Sequence, residues 1–221
     1  MAPTMIPDWS LYLITDRHRL GPGSLQSAVA EAIRGGVRAV QLREKDLAPR
    51  DLIPLAEDIR QLTARAGARL FINGRIDVML AVDADGVHLR SDSLPIFAVR
   101  KVIGPKKFLG VSTHSLAEVD RASDEGADFI TFGPVFETPA KTVYGRPVGV
   151  EALQLACRRT RLPVYALGGV RGERIADVVA AGAHGVALIG AIMSSRDIRG
   201  AAQACLEAVG HARNTHLVDP G

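Results

Sequence analysis

Cysteine, aromatic residues and long apolar runs are all scarce in this chain. Cys157 and Cys205 lie in segments with helical spacing, outside any Cys-x-x-Cys pair or histidine cluster. This predicts buried thiols in a reducing compartment and no zinc site. No apolar run approaches the roughly 20 residues of a membrane-spanning helix, and residues 1–9 lack the regions of a signal peptide. We therefore expect a cytoplasmic protein with no membrane partner.

The charge pattern excludes another class of partner. The formal net charge is +3 and the pI is near 9.1, but charges of both signs are interspersed. No basic stripe alternates with aromatic residues, so we expect no nucleic-acid partner. A Gly-x-Gly-x-x-Gly motif is also absent, which leaves a dinucleotide-binding fold without support.

A recurrent turn organises the sequence. Four segments contain a Gly turn that leads into a short apolar run, at residues 36–43, 85–89, 126–133 and 182–190. Four more apolar runs alternate with them, at residues 11–15, 69–73, 108–112 and 163–167. Eight strands alternating with helical patterns predict an α/β fold, a single (β/α)8 TIM barrel. The barrel would span residues 11–210, after an N-terminal extension (1–10) and before an aperiodic C-terminal tail (211–221).

Composition sets bounds on this barrel. The 221 residues suffice for one barrel and are too few for a second full domain. Hydrophobic residues make up 47% of the chain, but aromatic residues only 5%. We therefore expect Ala, Val, Leu and Ile to fill the narrow interior.

Polar residues collect where the predicted strands end, and in such barrels the chemistry occurs at the C-terminal strand ends. The residues placed there are Asp16, Gln41, Arg43, Lys45, Asn73, Arg75, His88, Ser112, His114 and Lys141. The N-terminal strand ends carry Gly, Ala and Pro by comparison. This asymmetry predicts an enzyme or a ligand-binding protein.

Two glycine-containing turns follow strands 7 and 8. Gly168 and Gly169 end strand 7, and Ile189 and Gly190 end strand 8. In a barrel these two loops often hold a phosphate through backbone N–H groups, which glycine allows an anion to approach closely. Tight strand-to-helix connections are the alternative explanation for either turn alone. Their occurrence together favours phosphate binding.

A cationic pair ends strand 2. Arg43 and Lys45 share a face because they stand two residues apart, and Gln41 continues that face. They could hold a second anion or a carboxylate. The alternative is an exposed loop in which they pair with Glu44 and Asp46.

Two residues are candidates for proton transfer or ligand closure. His114 follows strand 5 and is either a general acid/base or a structural histidine that bonds to the loop. Lys141 lies in the long loop after strand 6, where it either closes over a ligand or stays solvated. His88 is interpreted as a strand residue of unassigned role.

Several of these motifs stand in a fixed order along the chain. They are Gln-Leu-Arg-Glu-Lys at 41–45, Asp-Gly-Val-His-Leu at 85–89, Gly-Val-Ser-Thr-His-Ser at 110–115, Gly-Pro-Val-Phe at 133–136 with Thr138 and Lys141, and Gly168-Gly169. Together, from about residue 11 to 195, they resemble the thiamine phosphate synthase and thiazole tautomerase superfamily. The resemblance implies a (β/α)8 barrel with a small phosphorylated thiazole as ligand, and it leaves a homodimer open.

The synthase branch joins an aminopyrimidine diphosphate to hydroxyethylthiazole phosphate and releases pyrophosphate with Mg²⁺. The resemblance implies that residues 41–45 and Asn73 contact the pyrimidine diphosphate, with Ser112 nearby. It places Thr138 and Lys141 at the thiazole phosphate or the pyrophosphate. The backbone N–H groups held to bind the thiazole phosphate are those of Gly169, Ile189 and Gly190.

Two positions depart from the synthase pattern. The synthase has Asn-Asp-Arg where this chain has Asn73-Gly74-Arg75, and Ser93 stands at the second magnesium-binding aspartate, with Asp92 one residue away. Since Mg²⁺ prefers carboxylate oxygens, these changes argue against the synthase reaction. We therefore expect no metal cofactor, with Mg²⁺ needed only if the synthase alternative holds.

The tautomerase branch is similar to this chain at the same positions. It carries Asn-Gly-Arg after strand 3 and Phe-Glu-Thr in loop 6, as at residues 136–138 here. Its reaction moves a proton to aromatise a thiazole carboxylate phosphate and needs no metal. Pro134 replaces the histidine of that branch, so His114 is the expected proton carrier, with Lys141 or Glu137 behind it.

The sequence thus predicts a metal-independent isomerase of thiamine biosynthesis, a thiazole tautomerase. Thiamine phosphate synthase, with a relocated magnesium ligand such as Asp92, is the alternative. A non-catalytic binder of thiazole phosphate or thiamine phosphate is a further alternative.

Overall fold

Eight parallel strands close into a barrel in the computed structural model, which describes residues 5–138 and 146–218, with side chains up to residue 215. The strands are β1 Leu11–Ile14, β2 Ala39–Leu42, β3 Arg69–Asn73, β4 Gly86–Leu89, β5 Phe108–Thr113, β6 Phe129–Phe132, β7 Val164–Leu167 and β8 Gly185–Leu188. Each strand pairs with the next in sequence, and β1 pairs with β8. The predicted (β/α)8 barrel is confirmed.

Helices cover the outside of the strands. They are α1 Leu25–Arg34, α2 Pro49–Arg65, α3 Ile76–Ala81, α4 Ile96–Ile103, α5 Leu116–Glu125, α6 Gly149–Arg159, α7 Ile175–Ala180, α8 Gly190–Met193 and α9 Ile198–Val218. Short 3-10 turns occur at Arg17–Arg19 and Gly172–Arg174. Ser24 and Ser115 start α1 and α5, because each side-chain oxygen accepts a backbone N–H of the first turn.

Two of the recurrent turns carry an aspartate that bonds to the neighbouring strand at the N-terminal end of the barrel. Asp85, just before β4, accepts the Leu70 N–H of the neighbouring strand at 2.8 Å. Asp128, just before β6, accepts the Leu109 N–H at 2.7 Å. Arg100 donates to the same Asp128 carboxylate. These two carboxylates satisfy backbone donors at the starts of β3 and β5.

The interior of the barrel is aromatic, and the expectation that branched aliphatic residues fill it is wrong. Six of the ten Trp, Tyr and Phe residues belong to one inner cluster: Trp9, Tyr12, Phe71, Phe108, Phe129 and Tyr165. Ile14, Ala39, Leu167 and Ala187 complete this inner cluster, and the other buried aliphatic residues form the layer between strands and helices. Composition gives the number of aromatic residues but not the strand face that they occupy.

The predicted N-terminal extension contributes to this interior. Trp9 packs edge-on against Phe108 and Phe129, with ring centroids 5.2 and 6.0 Å apart. The Tyr165 hydroxyl donates to the Trp9 carbonyl at 2.7 Å. Trp9 is 4% exposed, so it closes the N-terminal end of the barrel.

Helical structure continues into the segment that the sequence predicted to be an aperiodic C-terminal tail from residue 211. Helix α9 continues to Val218. Its buried residues keep helical spacing as far as Ala212, and Arg213 donates to the His184 carbonyl. Packing against α1 and α7 stabilises a segment whose apolar residues are too few to be conspicuous in sequence.

The structure also shows the state of the two cysteines and the character of the helices. Both cysteines are free thiols, Cys205 buried and Cys157 half-buried. Within residues 5–138 and 146–218, no helix combines the length and the hydropathy needed to cross a bilayer.

We predict that Gly110→Ala destabilises the barrel by about 1–3 kcal/mol. A Cβ at residue 110 would lie 2.5 Å from Nδ1 of His88 and would collide with the Phe129 ring, so the interior would have to shift. Gly210→Ala is the matched control, because a Cβ there meets nothing within 4 Å and alanine suits a helix better than glycine. Urea unfolding of both variants checks this, and equal stability of the two would contradict it.

Candidate active site

The C-terminal ends of the strands bring four of the expected residues to one mouth. Gln41 lies in β2 and is 1% exposed, whereas Asn73 ends β3 and Ser112 lies in β5, both half-buried. Arg43 follows β2 and is also half-buried. The mouth thus has a polar floor with a cation beside it, and Lys45 is exposed at its rim.

A hydrogen-bond network runs across this floor. Gln41 Nε2 donates to the Tyr12 hydroxyl at 3.1 Å, and that hydroxyl contacts Nδ1 of His88 at 3.4 Å. On the other side of the ring, Nε2 of His88 lies 3.1 Å from Ser112 Oγ and 3.5 Å from Thr131 Oγ1. Tyr12 and Thr131 escaped the sequence reasoning, since both look like ordinary strand residues.

His88 is neutral in this environment. Burial lowers its pKa from 6.5 to about 3, and the positive charge of Arg43 adds to the effect. Burial also raises the pKa of the Tyr12 hydroxyl well above its usual range. Both groups therefore act as uncharged hydrogen-bond partners at neutral pH.

Glu44 joins the loops after β1 and β2. Its carboxylate accepts the Thr15 hydroxyl at 2.7 Å, and it also accepts the Arg17 backbone N–H at 3.2 Å and Arg17 Nη1 at 3.1 Å. Asp46 is bound by Arg17 as well. Arg43 donates its backbone N–H to Thr15 Oγ1 at 2.9 Å. Arg17 thus binds both Glu44 and Asp46, the two acids considered in the sequence analysis as partners of Arg43 and Lys45.

The loop after β6 lies against the turn after β7. Val135 donates to the Leu167 carbonyl at 2.9 Å and Phe136 to the Gly168 carbonyl at 3.0 Å. A Cβ on Gly168 would lie 2.6 Å from Pro134, and one on Gly169 would lie 2.6 Å from the Glu137 carbonyl oxygen. Close packing of the two loops therefore accounts for both glycines without any ligand.

An arginine that sequence reasoning missed lies beside the turn after β8. A Cβ built on Gly190 would lie 3.3 Å from Arg19 Nη1 and 3.7 Å from Ser194 Oγ. Asp16 accepts from Arg19 Nε at 3.0 Å and so orients the guanidinium. Because β1 and β8 are neighbours only through barrel closure, linear sequence gave no sign of this arrangement.

The residues expected to catalyse proton transfer show a different arrangement. His114 Nδ1–H donates to the Gly133 carbonyl, and the His114 backbone N–H donates to Glu118 at 2.6 Å. The ring thereby fastens the start of the loop after β6. Glu137 is exposed and Thr138 half-buried, and Lys141 lies outside the described residues.

The described residues do not fit the carboxylate magnesium site that the resemblance implies. Asp92 is exposed and accepts from Arg90 at 2.6 Å, and Asp77 is bound by Arg75. Within the described ranges, no group of three or more His, Cys, Asp or Glu residues could hold a metal ion. Gly74 offers no side-chain ligand.

Comparison with known proteins identifies the family. The family model described as thiamine monophosphate synthase matches residues 11–192. A putative thiamine-phosphate synthase of Geobacter sulfurreducens is 50% identical over 199 residues, covering 90% of this chain and 93% of the relative. The thiamine-phosphate synthase of Moorella thermoacetica is 39% identical over 208 residues, covering 94% of this chain and 99% of the relative.

A solved structure agrees with the relatives. The thiamine phosphate pyrophosphorylase from Pyrococcus furiosus has a TM-score of 0.84 and 35% identity, covering 92% of this chain and 96% of its own. These matches contradict the expected thiazole tautomerase and the isomerase class, and they support the synthase alternative. The expectation went wrong because it weighed two metal-site positions above the match along the whole barrel. The chain belongs to the thiamine monophosphate synthase family.

Proposed function

We propose that this protein is a thiamine-phosphate synthase, a transferase that joins an aminopyrimidine diphosphate to hydroxyethylthiazole phosphate and releases pyrophosphate. The observation that carries the proposal is a polar barrel floor with cations on two sides of it. Arg43 stands on the β2 side, and Arg19 stands beside the turn after β8. Two phosphorylated substrates need two such anion-binding sides.

The pyrimidine diphosphate would lie on the side of β2 to β5. Gln41, Asn73 and Ser112 offer amide and hydroxyl groups that suit the nitrogen-rich edge of an aminopyrimidine. Arg43 and Lys45 would bind the diphosphate, because their positive charges oppose the charge that the leaving pyrophosphate carries. The Glu44 contacts with Thr15 and Arg17 hold the backbone beneath these two cations.

The thiazole phosphate would lie on the side of β7, β8 and β1. Backbone N–H groups at Gly168, Gly169, Ile189 and Gly190 are the proposed donors, and Arg19 adds the positive charge that the backbone lacks. Arg174 Nη1 donates to the Gly169 carbonyl at 3.1 Å, which holds this turn in place. Thr138, and Lys141 outside the described residues, remain proposed contacts to the thiazole phosphate or pyrophosphate.

The acid/base role predicted for His114, with Lys141 or Glu137 behind it, belonged to the tautomerase reaction and lapses with it. Condensation instead requires two substrates to be held in line while pyrophosphate leaves. Because His114 donates to the Gly133 carbonyl, its proposed function is to position the loop that follows β6.

We predict that the purified protein releases pyrophosphate only when both substrates are present. The condensation breaks the bond to the diphosphate as the thiazole attacks, so either substrate alone should give only background release. A coupled pyrophosphate assay in Mg²⁺-containing buffer measures this, with mass spectrometry of the joined product. Absence of pyrophosphate release with both substrates would overturn the proposed function.

If each cationic side binds one substrate, removing either cation should raise the KM of a different substrate. Arg43→Ala should raise the KM for the pyrimidine diphosphate, and Arg19→Ala should raise the KM for the thiazole phosphate. Each rise should be about tenfold or more, as expected for a lost charge-assisted hydrogen bond. The other substrate's KM should change by less than about twofold. Arg34→Ala is the control, because Arg34 is exposed and pairs only locally with Glu31. Parallel changes in both KM values would contradict the two-sided arrangement.

The described residues do not fit the magnesium site that the resemblance implies, and this gives a separate prediction. Asp92→Asn should leave turnover within about twofold of the wild type, because exposed ion pairs such as Asp92–Arg90 contribute little. Steady-state rates across a Mg²⁺ titration provide the measurement. A large loss that added Mg²⁺ reverses would show instead that Asp92 is a relocated metal ligand.

A further inference from the structure

We propose that His88 is a positioning residue, which together with Tyr12 and Gln41 fixes the Ser112 hydroxyl as a hydrogen-bond donor pointing into the barrel mouth. The proposal rests on the proposed function, since the ligand that meets Ser112 is taken to be the aminopyrimidine. It concerns the direction of the hydrogen bonds in the floor, which none of the expected substrate contacts specifies.

The donor-to-acceptor direction of these hydrogen bonds is set first by the side-chain amide of Gln41. An amide nitrogen only donates, so Gln41 Nε2–H gives its hydrogen to the Tyr12 oxygen at 3.1 Å. The Tyr12 hydroxyl hydrogen then needs its own acceptor, because Tyr12 is 0% exposed and a buried unpaired donor is costly. Nδ1 of His88, at 3.4 Å, is in position to accept it.

The His88 imidazole determines which atoms donate and which accept on the far side of the floor. A neutral ring that accepts at Nδ1 carries its hydrogen on Nε2. This hydrogen points towards Ser112 Oγ, 3.1 Å away. Thr131 Oγ1 donates to the same Ser112 oxygen at 3.4 Å.

Ser112 therefore receives two hydrogen bonds from the barrel interior. A hydroxyl accepts at most two and donates one, so both of its acceptor positions are filled from below. Ser112 is half-buried, and its remaining hydrogen points to the open side. A ligand atom in front of it has to be an acceptor, such as an unprotonated ring nitrogen.

Two features keep the donor and acceptor roles of the His88 ring nitrogens fixed. Burial and the Arg43 charge hold the pKa of His88 near 3, so the ring does not gain a second N–H at neutral pH. Gly110 leaves room for the ring, because a Cβ there would lie 2.5 Å from Nδ1. The imidazole is thus held in one protonation state and one place.

The first test reads the hydrogen positions without any substrate. Long-range nitrogen-15 NMR of histidine-labelled full-length protein should show His88 as the Nε2–H tautomer at pH 7. Tyr12→Phe removes the group that donates to Nδ1, and the spectrum should then shift towards the other tautomer. An Nδ1–H tautomer in the wild type would overturn the proposal, whether or not the protein is a synthase.

The second test uses turnover. His88→Met should raise the KM for the pyrimidine diphosphate about tenfold, with the thiazole phosphate KM changed by less than about twofold. His88→Gln, whose amide can still accept from Tyr12 and donate to Ser112, should recover most of the loss. Thr113→Val is the matched control. Thr113 is buried and lies beside Ser112 in β5, but its hydroxyl donates to the Thr131 carbonyl. It should leave both KM values unchanged.

A double-mutant cycle links the effect to Ser112. In the Ser112→Ala background, His88→Met should add less than about a twofold change, since no hydroxyl remains to be oriented. Additive losses, or equal losses for both substrates, would overturn the positioning role. If His88→Met fails to fold, Tyr12→Phe carries the same comparison, with a smaller loss in the same direction. Failure of wild-type turnover would count against the proposed function alone, because the NMR result does not depend on it.

Discussion

Closure of the barrel by the pairing of β1 with β8 is the constraint on which the other features depend. Once the ring is closed, every second strand residue points into a space that excludes water. Each inward side chain must then pack against other rings or find a hydrogen-bond partner. Aromatic rings such as Phe71 and Phe129 meet this requirement in the lower part, and Gln41, His88 and Ser112 meet it nearer the mouth.

The fold was predictable because its signal is local and repeated. Each Gly turn precedes a strand, and turn carboxylates such as Asp85 and Asp128 satisfy backbone donors of the neighbouring strand. Gln41, Asn73 and Ser112 could be chosen as mouth residues because they end strands, and the ends of parallel strands meet at one face. Periodicity therefore predicted which residues meet at the barrel mouth, the candidate site, without showing what each side chain contacts.

The contacts of the site were less predictable, because they join distant parts of the chain. The Tyr12–His88 contact spans 76 positions, and Arg19 meets Gly190 only through barrel closure. The aromatic interior and the C-terminal half of α9 were missed for a related reason, since packing partners stabilise both. The glycines at 168 and 169 are a contrasting case. The close approach of the loop after β6 accounts for them, and the phosphate site that they predicted stays a prediction.

The ring of Trp9 at the N-terminal end of the barrel determines by which route a small molecule can enter and leave the interior. With that end sealed, a molecule that reaches Gln41 enters and leaves through the same opening. Exchange of molecules at this polar floor therefore takes place at the C-terminal face of the barrel, where the loops after the strands lie.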